Sequence, residues 1–201
     1  MLTLYGKATS INVRKVLWLG AGLDLPLHHE PAPSPALLAT LNPNLQVPVL
    51  RDGDFVLWES NSICRYLAVR GGRDDLLPAA PQARARVEQW MDWQASDLNS
   101  AWRQVFMARV RQHPDHPDDA RAEASLVQWN RLMGVLDAQL ATTDGYVAGN
   151  TFTLADIVLG LSTQRWRSTP GSKPVLAHVD AWFERLREQP GFAEYVDNGV
   201  A

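Results

Sequence analysis

Residues Asn42 to Leu50 read NPNLQVPVL, and the centre of that run, Gln46-Val47-Pro48, decides how the first third of the chain is read. Proline has no backbone donor and is excluded from central strands. Pro48 ahead of the apolar Val49-Leu50 therefore marks a turn that delivers the chain into a strand. A cis bond at Pro48 would turn the main-chain N–H and C=O of Val47 sideways, ready to pair with an extended peptide ligand. An ordinary trans loop proline is the plainer alternative, since only about 5–6% of X-Pro bonds are cis. The neighbouring segments decide how much weight each reading carries.

Downstream, Val49–Arg51 and Phe55–Trp58 flank Asp52-Gly53-Asp54, the signature of a β-hairpin with glycine in the turn. Glu59, Ser60 and Asn61 then open a helix with Ile63, Tyr66 and Leu67 inward, closed by Gly71-Gly72. Upstream, Leu2–Tyr5 is a short buried strand ended by Gly6. After the loop 7–11, Asn12 leads into Val13, Val16, Leu17 and Gly20 at helical spacing, with Gly22 as the stop. Pro26–Glu30 reads as a second strand, and Pro31-Ala32-Pro33-Ser34-Pro35 as a rigid connector into a helical turn near Ala36–Leu41. The order βαβαββα over residues 1–73 describes a compact α/β domain with helices on the faces of a mixed sheet.

Residues 74–82, DDLLPAAPQ, read as a linker, and 83–201 carries almost no strand signal. Val87, Trp90, Met91, Gln94, Leu98, Ala101 and Val105 outline one long helix, broken at His113-Pro114 to Pro117. Trp129, Leu132, Met133, Leu136 and Leu140 outline a second, ending near Asp144-Gly145. Leu154, Ile157, Val158 and Leu161 give a third, and Val175, Val179, Trp182, Phe183 and Leu186 a fourth. A short segment, Phe192–Val196, follows Pro190-Gly191, so the second domain is expected to be all-α.

Composition narrows the function. A chain of 201 residues with 46% hydrophobic and 20% charged residues is globular. A formal charge of −3 gives no electrostatic case for nucleic acid or an anionic membrane. One cysteine builds no intramolecular disulfide framework, and no apolar run approaches a membrane span, so a cytoplasmic protein is expected.

Two loops carry candidate chemistry. Glu59-Ser60 sits where a strand ends and a helix begins, so the hydroxyl and the amides of Ser60, Asn61 and Ser62 suit a ligand carboxylate, and Glu59 a ligand ammonium. Simple N-capping by Ser60 is the alternative. Thr9, Ser10 and Asn12 occupy the first strand-to-helix loop, at the sheet edge where α/β folds gather ligands; capping of the first helix is the alternative there. No histidine or carboxylate neighbours Ser10, which argues against a serine nucleophile. Thr153-Leu154-Ala155-Asp156 has capping-box spacing, with Phe152 and Ile157 placed for a hydrophobic staple. Cys64 reads as a small buried hydrophobe, HPDHPDD (113–119) as a solvated loop without a metal, and Arg103, Arg109 and Arg111 as solvated helix faces.

Four pieces together, YGKATSINVRKVLWL, LNPNLQVPVL, LWESNSICRYLA and FTLADI, resemble the cytosolic glutathione transferase family along the whole chain. SINVRKVL and VEQWMDW are most similar to its bacterial theta- or phi-like members, including the type called glutathione transferase B. The resemblance implies a thioredoxin-like N-terminal domain, a helical C-terminal domain and a homodimer working in detoxification. It assigns Val47, before a cis Pro48, to the cysteinyl main chain of glutathione, and Glu59 and Ser60 to the γ-glutamyl end, with Gln46 nearby. Ser10 matches the hydroxyl that hydrogen-bonds the glutathione sulfur, with Asn12 a second donor. A small hydrophobic electrophile would lie between the domains near Trp102, Phe106 and Arg109. Glutathione is then a co-substrate and no metal is needed.

The loop Pro31–Ala36 departs from the family pattern by lacking basic residues for the glycyl carboxylate, for which His28, His29 or a helical-domain arginine are the available substitutes. A transferase-like scaffold or regulatory protein without catalysis is the competing reading, and retention of Ser10, Gln46, Val47, Pro48, Glu59 and Ser60 argues against it. A reductase using Cys64 lacks a CxxC pair.

Overall fold

The structure is a computed structural model that describes residues 1–23, 25–143 and 145–200. Contacts divide it into two compact units, Met1–Ala79 with Gln189–Val200, and Ala80–Glu188.

In the first unit the elements follow the expected order: β1 Leu2–Tyr5, α1 Ile11–Ala21, β2 Leu27–Glu30, α2 Pro35–Leu41, β3 Val49–Asp52, β4 Phe55–Trp58 and α3 Ser60–Arg70. The sheet order is β2-β1-β3-β4, with β1 and β2 parallel and the other two pairings antiparallel. Leu2 and Leu4 of β1 and Val49 and Leu50 of β3 are fully buried, and so are Val13 and Val16 of α1 and Ile63 and Leu67 of α3. This is the thioredoxin-like arrangement the motif order implied.

The C-terminal segment departs from the expected boundary at 83–201, whose last residue, Ala201, lies outside the described residues. Its helix α9, Phe192–Tyr195, packs on α1, where Phe192 meets Trp18 edge-on with ring centres 5.8 Å apart. The buried Arg14 of α1 secures the same tail by donating to the carbonyl of Val200 at 2.9 Å and, less closely, to Asn198 and Tyr195. An apolar anchor and one arginine thus hold a segment whose sequence carried only a short helical signal. The expected linker is also partly structured: Leu76 and Leu77 are buried, and the next helix starts at Pro81.

The second unit is helical: α4 Pro81–Trp93, a π-helical turn Gln94–Leu98, α5 Asn99–Arg109, α6 Ala120–Leu140, α7 Leu154–Ser168 and α8 Ala177–Leu186. The single long helix expected over 87–105 is therefore interrupted by a π turn. Ser96 Oγ donates to the carbonyl of Asp92 at 2.8 Å and Ser100 Oγ to that of Ser96 at 2.7 Å, side-chain bonding that competes with the helical ladder. The expected stop at Asp144 lies outside the described residues; α6 itself ends at Leu140. Val175, read as the first core position of the fourth helix, precedes α8 and is 90% exposed. Its spacing matched the helix period by chance, since Val179, Trp182, Phe183 and Leu186 alone form the buried stripe.

Candidate functional site

Strand register builds the site. Tyr5 of β1 pairs with Val49 of β3, Val49 with Trp58 of β4, and Tyr5 with Glu30 of β2. Adjacent strands lie about 4.8 Å apart. Gly6 after β1, Pro48 before β3 and Glu59 after β4 must therefore emerge side by side at one end of the sheet.

Gly6 shows how tightly these loops close. Its φ is +139°, and a Cβ there would stand 2.7 Å from Val13 Cγ2 and 2.8 Å from Val47 Cβ. Only glycine permits this approach, which places Val47 against the first loop. Gly6 is also tied to the end of β2, donating to the carbonyl of Glu30 at 2.9 Å and meeting His29 Nε2 through its own carbonyl at 2.7 Å. His29 is thus engaged with the loop, while His28 is exposed.

The Val47-Pro48 bond is cis. Ahead of it, the buried Asn42 shapes the turn by donating Nδ2 to the Gln46 carbonyl at 2.8 Å and accepting from the Asn44 amide at 2.9 Å. Sequence reasoning missed Asn42, although an asparagine two residues before another, around a proline, is a side-chain turn signal. Among the described residues, the Val47 main chain makes no hydrogen bond within the protein. The Gln46 side chain is exposed and likewise unbonded.

Glu59 is the N-cap of α3 and holds φ +73°, a conformation that side chains other than glycine rarely adopt. Its side chain caps nothing and is exposed, so the strain serves no local bond. Ser60 is buried as the first helical residue rather than the cap, and N-capping by its hydroxyl does not occur. Ser10 is the N-cap of α1 in extended conformation, yet its hydroxyl also makes no capping bond. Both capping alternatives therefore fail, and among the described residues neither hydroxyl is hydrogen-bonded within the protein. Asn12 is exposed in the first turn of α1. The first turns of α1 and α3 both direct free amides outward at this level of the unit.

Cys64, four positions into α3, is fully buried, and burial pushes its thiol up to about 12. That value removes it from nucleophilic chemistry at neutral pH.

The helical unit places the other expected residues differently from one another. Trp102 is half-buried and stands edge-on to Phe106, ring centres 5.2 Å apart, on successive turns of α5. Phe106 is only 3% exposed. Arg109 is bound on three sides, by Asp118 and Glu123 at 2.9 Å each and by the Pro170 carbonyl at 3.2 Å. It joins the end of α5 to the start of α6 and to the loop after α7. Arg165 of α7 was not singled out from the sequence; it is buried, its guanidinium 4.5 Å from the Trp102 ring centre and 4.2 Å from that of Phe106. One of two arginines in the last turn of α7, it carries no local signal that it, unlike the exposed Arg167, is buried against α5.

The capping box at Thr153–Asp156 forms. The fully buried Asp156 carboxylate accepts from the Thr153 amide at 2.8 Å, the Thr153 hydroxyl at 3.0 Å, the Val147 amide at 2.9 Å and the Trp182 indole at 2.9 Å.

Comparison with known proteins agrees with the fold of each unit. The model of the glutathione S-transferase N-terminal domain matches residues 4–73, and that of the C-terminal domain matches 100–190. The chain belongs to the glutathione S-transferase family. Within the family it is 34% identical over 98% of both chains to glutathione S-transferase GstB of Escherichia coli. It is 36% identical to glutathione S-transferase 3 of Zea mays, over 97% of this chain and 93% of that one. Among solved structures, the theta-class glutathione S-transferase of Xanthomonas axonopodis pv. citri, solved with glutathione bound, aligns at TM-score 0.88 and 38% identity. That alignment covers 97% of this chain and 96% of the other. No helix among the described residues is long and apolar enough to cross a membrane.

Proposed function

We propose that the protein binds glutathione at this sheet end and activates its thiol for attack on a small electrophile. One observation carries the reading: the register Tyr5–Val49–Trp58 gathers at one edge the polar groups the fold leaves unbonded, namely the Ser10 hydroxyl, the Val47 main chain and Glu59-Ser60. Val47 pairs with the cysteinyl main chain beside Pro48, in the manner of an added strand. Glu59 accepts from the γ-glutamyl ammonium, and Ser60 with the first-turn amides of α3 takes the adjoining carboxylate, Gln46 contributing from the neighbouring loop.

Ser10 acts as a donor to sulfur. A free thiol of this type has a pKa of about 8.5, and a hydrogen bond to the thiolate with the N-terminus of α1 lowers it by roughly two units, about 2.7 kcal/mol. Asn12 supplies a second donor, and the thiolate then predominates at neutral pH. Within the helical unit, Trp102 and Phe106 are the candidate contacts for the electrophile; the ion pairs of Arg109 leave it to organise that unit. Two such chains forming a dimer in the cytoplasm complete the reading.

Thiolate absorbance of bound glutathione, titrated with pH in the wild type and in Ser10→Ala and Asn12→Ala, tests the mechanism. Ser10→Ala is expected to return the bound thiol most of the way to its free titration, with a smaller shift for Asn12→Ala. Unchanged titration in both variants would refute the donor assignment.

A further inference from the structure

Ser10 stands at a helix start that receives no help from its own side chains. Its hydroxyl caps nothing, and the first turn of α1 holds no acidic residue to offset the positive end of the helix. A helix start in that condition frays unless packing holds it. Here the packing comes from the segment 191–200 of the same unit, which runs antiparallel along one face of α1. Gly191 lies against Ala21, where a Cβ on the glycine would stand 2.6 Å from that of Ala21. Phe192 meets the Trp18 ring edge-on. Arg14 Nη1 then reaches the Tyr195 carbonyl at 3.4 Å, Asn198 Oδ1 at 3.3 Å and the Val200 carbonyl at 2.9 Å. Asn198 braces this end of the segment by donating to the Glu194 carbonyl at 2.9 Å and accepting from the Val200 amide at 3.1 Å. Ala21, Trp18 and Arg14 share a face by helical spacing, and the next position on it, one turn back, is Ser10. The main chain joins the last two directly, since the Arg14 amide donates to the Ser10 carbonyl at 3.0 Å and closes the first turn.

We infer that the segment 191–200 is a splint for the start of α1: through Arg14 it holds the first turn so that the Ser10 hydroxyl, unused as a cap, stays aimed at the glutathione sulfur. The inference rests on the proposed activation of the thiol by Ser10. Arg14 is a positioning residue, because its side chain is buried and turned to the segment rather than to a ligand. A donor stabilises a thiolate only while it is held within hydrogen-bond reach. Loosening this turn therefore raises the pKa of the bound thiol without removing any group that contacts glutathione. The helix start forgoes a local cap, and contacts from residues far downstream in the chain take its place.

The test compares the thiolate titration of bound glutathione in the wild type and in three variants: Arg14→Met, Asn198→Ala, and a chain ending at Asp197. The last loses Asn198 and Val200 but keeps Phe192 on Trp18. Calorimetry with S-methylglutathione, which has no thiol to titrate, reports binding apart from activation, and thermal unfolding confirms that each variant is folded at the temperature used. Arg14→Met and the shortened chain are expected to raise the titration midpoint by about 0.5–1 pH unit, a threefold to tenfold lower ratio of thiolate to thiol. Asn198→Ala is expected to raise it by less, and keeps the test in hand should either of the others fail to fold. Affinity for S-methylglutathione should stay within about twofold of the wild type in all three. Because the splint acts through Ser10, Arg14→Met added to Ser10→Ala should move the midpoint no further than Ser10→Ala does alone. An unchanged midpoint in folded variants would make the segment a stabilising clasp only and overturn the inference. So would a full further shift in the Ser10→Ala background, or loss of S-methylglutathione binding in step with the shift. A wild-type midpoint that ignores Ser10→Ala would refute the donor assignment and the splint with it, whereas one that depends on Ser10 but not on the segment would refute the splint alone.

Discussion

The sheet end of the first unit and the Asp156 node of the second treat polar groups in opposite ways. At Asp156, a carboxylate removed entirely from water accepts four hydrogen bonds from Thr153, Val147 and Trp182, so α7, α8 and the turn before α7 converge on one side chain. At the sheet end, two serines at helix starts cap nothing, a valine main chain is left unpaired, and Glu59 holds a positive φ that no internal bond requires. Both regions contain helix N-termini with hydroxyl or carboxylate residues at the capping positions. The difference is whether the groups are satisfied from within. Internal saturation marks a structural joint, while an arrangement that folding holds open, at a cost of about 1–3 kcal/mol for strained backbone alone, is what the proposed ligand site requires.

The comparison breaks most visibly if the joint is removed. Asp156→Ala leaves four buried donors without an acceptor and is expected to lower stability by about 3–5 kcal/mol, with glutathione affinity nearly intact in the folded fraction. A selective loss of affinity at unchanged thermal midpoint would reverse the two roles. Acid sharpens the same contrast. Burial pushes the Asp156 carboxyl up to about 6 from the ordinary 3.8, against the pull of its four donors. The folded protein holds the extra proton between those values. Its contribution to stability is therefore greatest below pH 3.8, declines as pH rises to about 6, and is level above, a change of about 3 kcal/mol. Denaturation midpoints of wild type and Asp156→Asn, compared across about pH 2.8–7, one unit beyond each end of the transition, should show the wild-type advantage shrinking over that window; a constant or growing advantage contradicts it.

On the other side of the comparison, Gly6→Ala drives a methyl group into Val13 and Val47 at a positive φ. A loss of about 2 kcal/mol in stability and of most glutathione binding is expected, read by calorimetry and thermal unfolding. The smallest effect has the opposite sign. Glu59→Gly relieves the backbone and should raise stability by up to about 1 kcal/mol while weakening glutathione about tenfold through loss of the ammonium acceptor. A stabilised variant that binds glutathione normally would remove Glu59 from the site.

Much of the first unit was legible because its signals are local. Tyr5-Gly6, Asp52-Gly53 and Gly71-Gly72 punctuate the elements, and the pairing of Val49–Asp52 with Phe55–Trp58 follows from the short turn between them. What escaped was set by contacts distant in sequence. The tail 189–200 goes to the first unit through Arg14 and Trp18, which lie far upstream. The π turn at 94–98 needs only a one-residue slip in the helical ladder, too small to disturb the spacing of Met91, Gln94 and Leu98. The positive φ of Glu59 likewise leaves no trace in the sequence, because a glutamate gives none of the warning that a glycine or asparagine would at such a backbone position. At the site, the identities of Ser10, Val47 and Ser60 were readable, but their lack of internal partners was not, since that depends on every other group the fold brings near.

Cys64 gives this arrangement a further consequence. A protein acting on electrophiles, as proposed, would be exposed to alkylation by its own substrates, and the sulfur most at risk is its single cysteine. With no solvent access and a thiol pushed up to about 12, on the order of one molecule in 10⁵ would carry the reactive thiolate at neutral pH. Under the proposed function, the one cysteine is thus withdrawn from the reagents the site would handle, and the thiol left to react with them is that of bound glutathione.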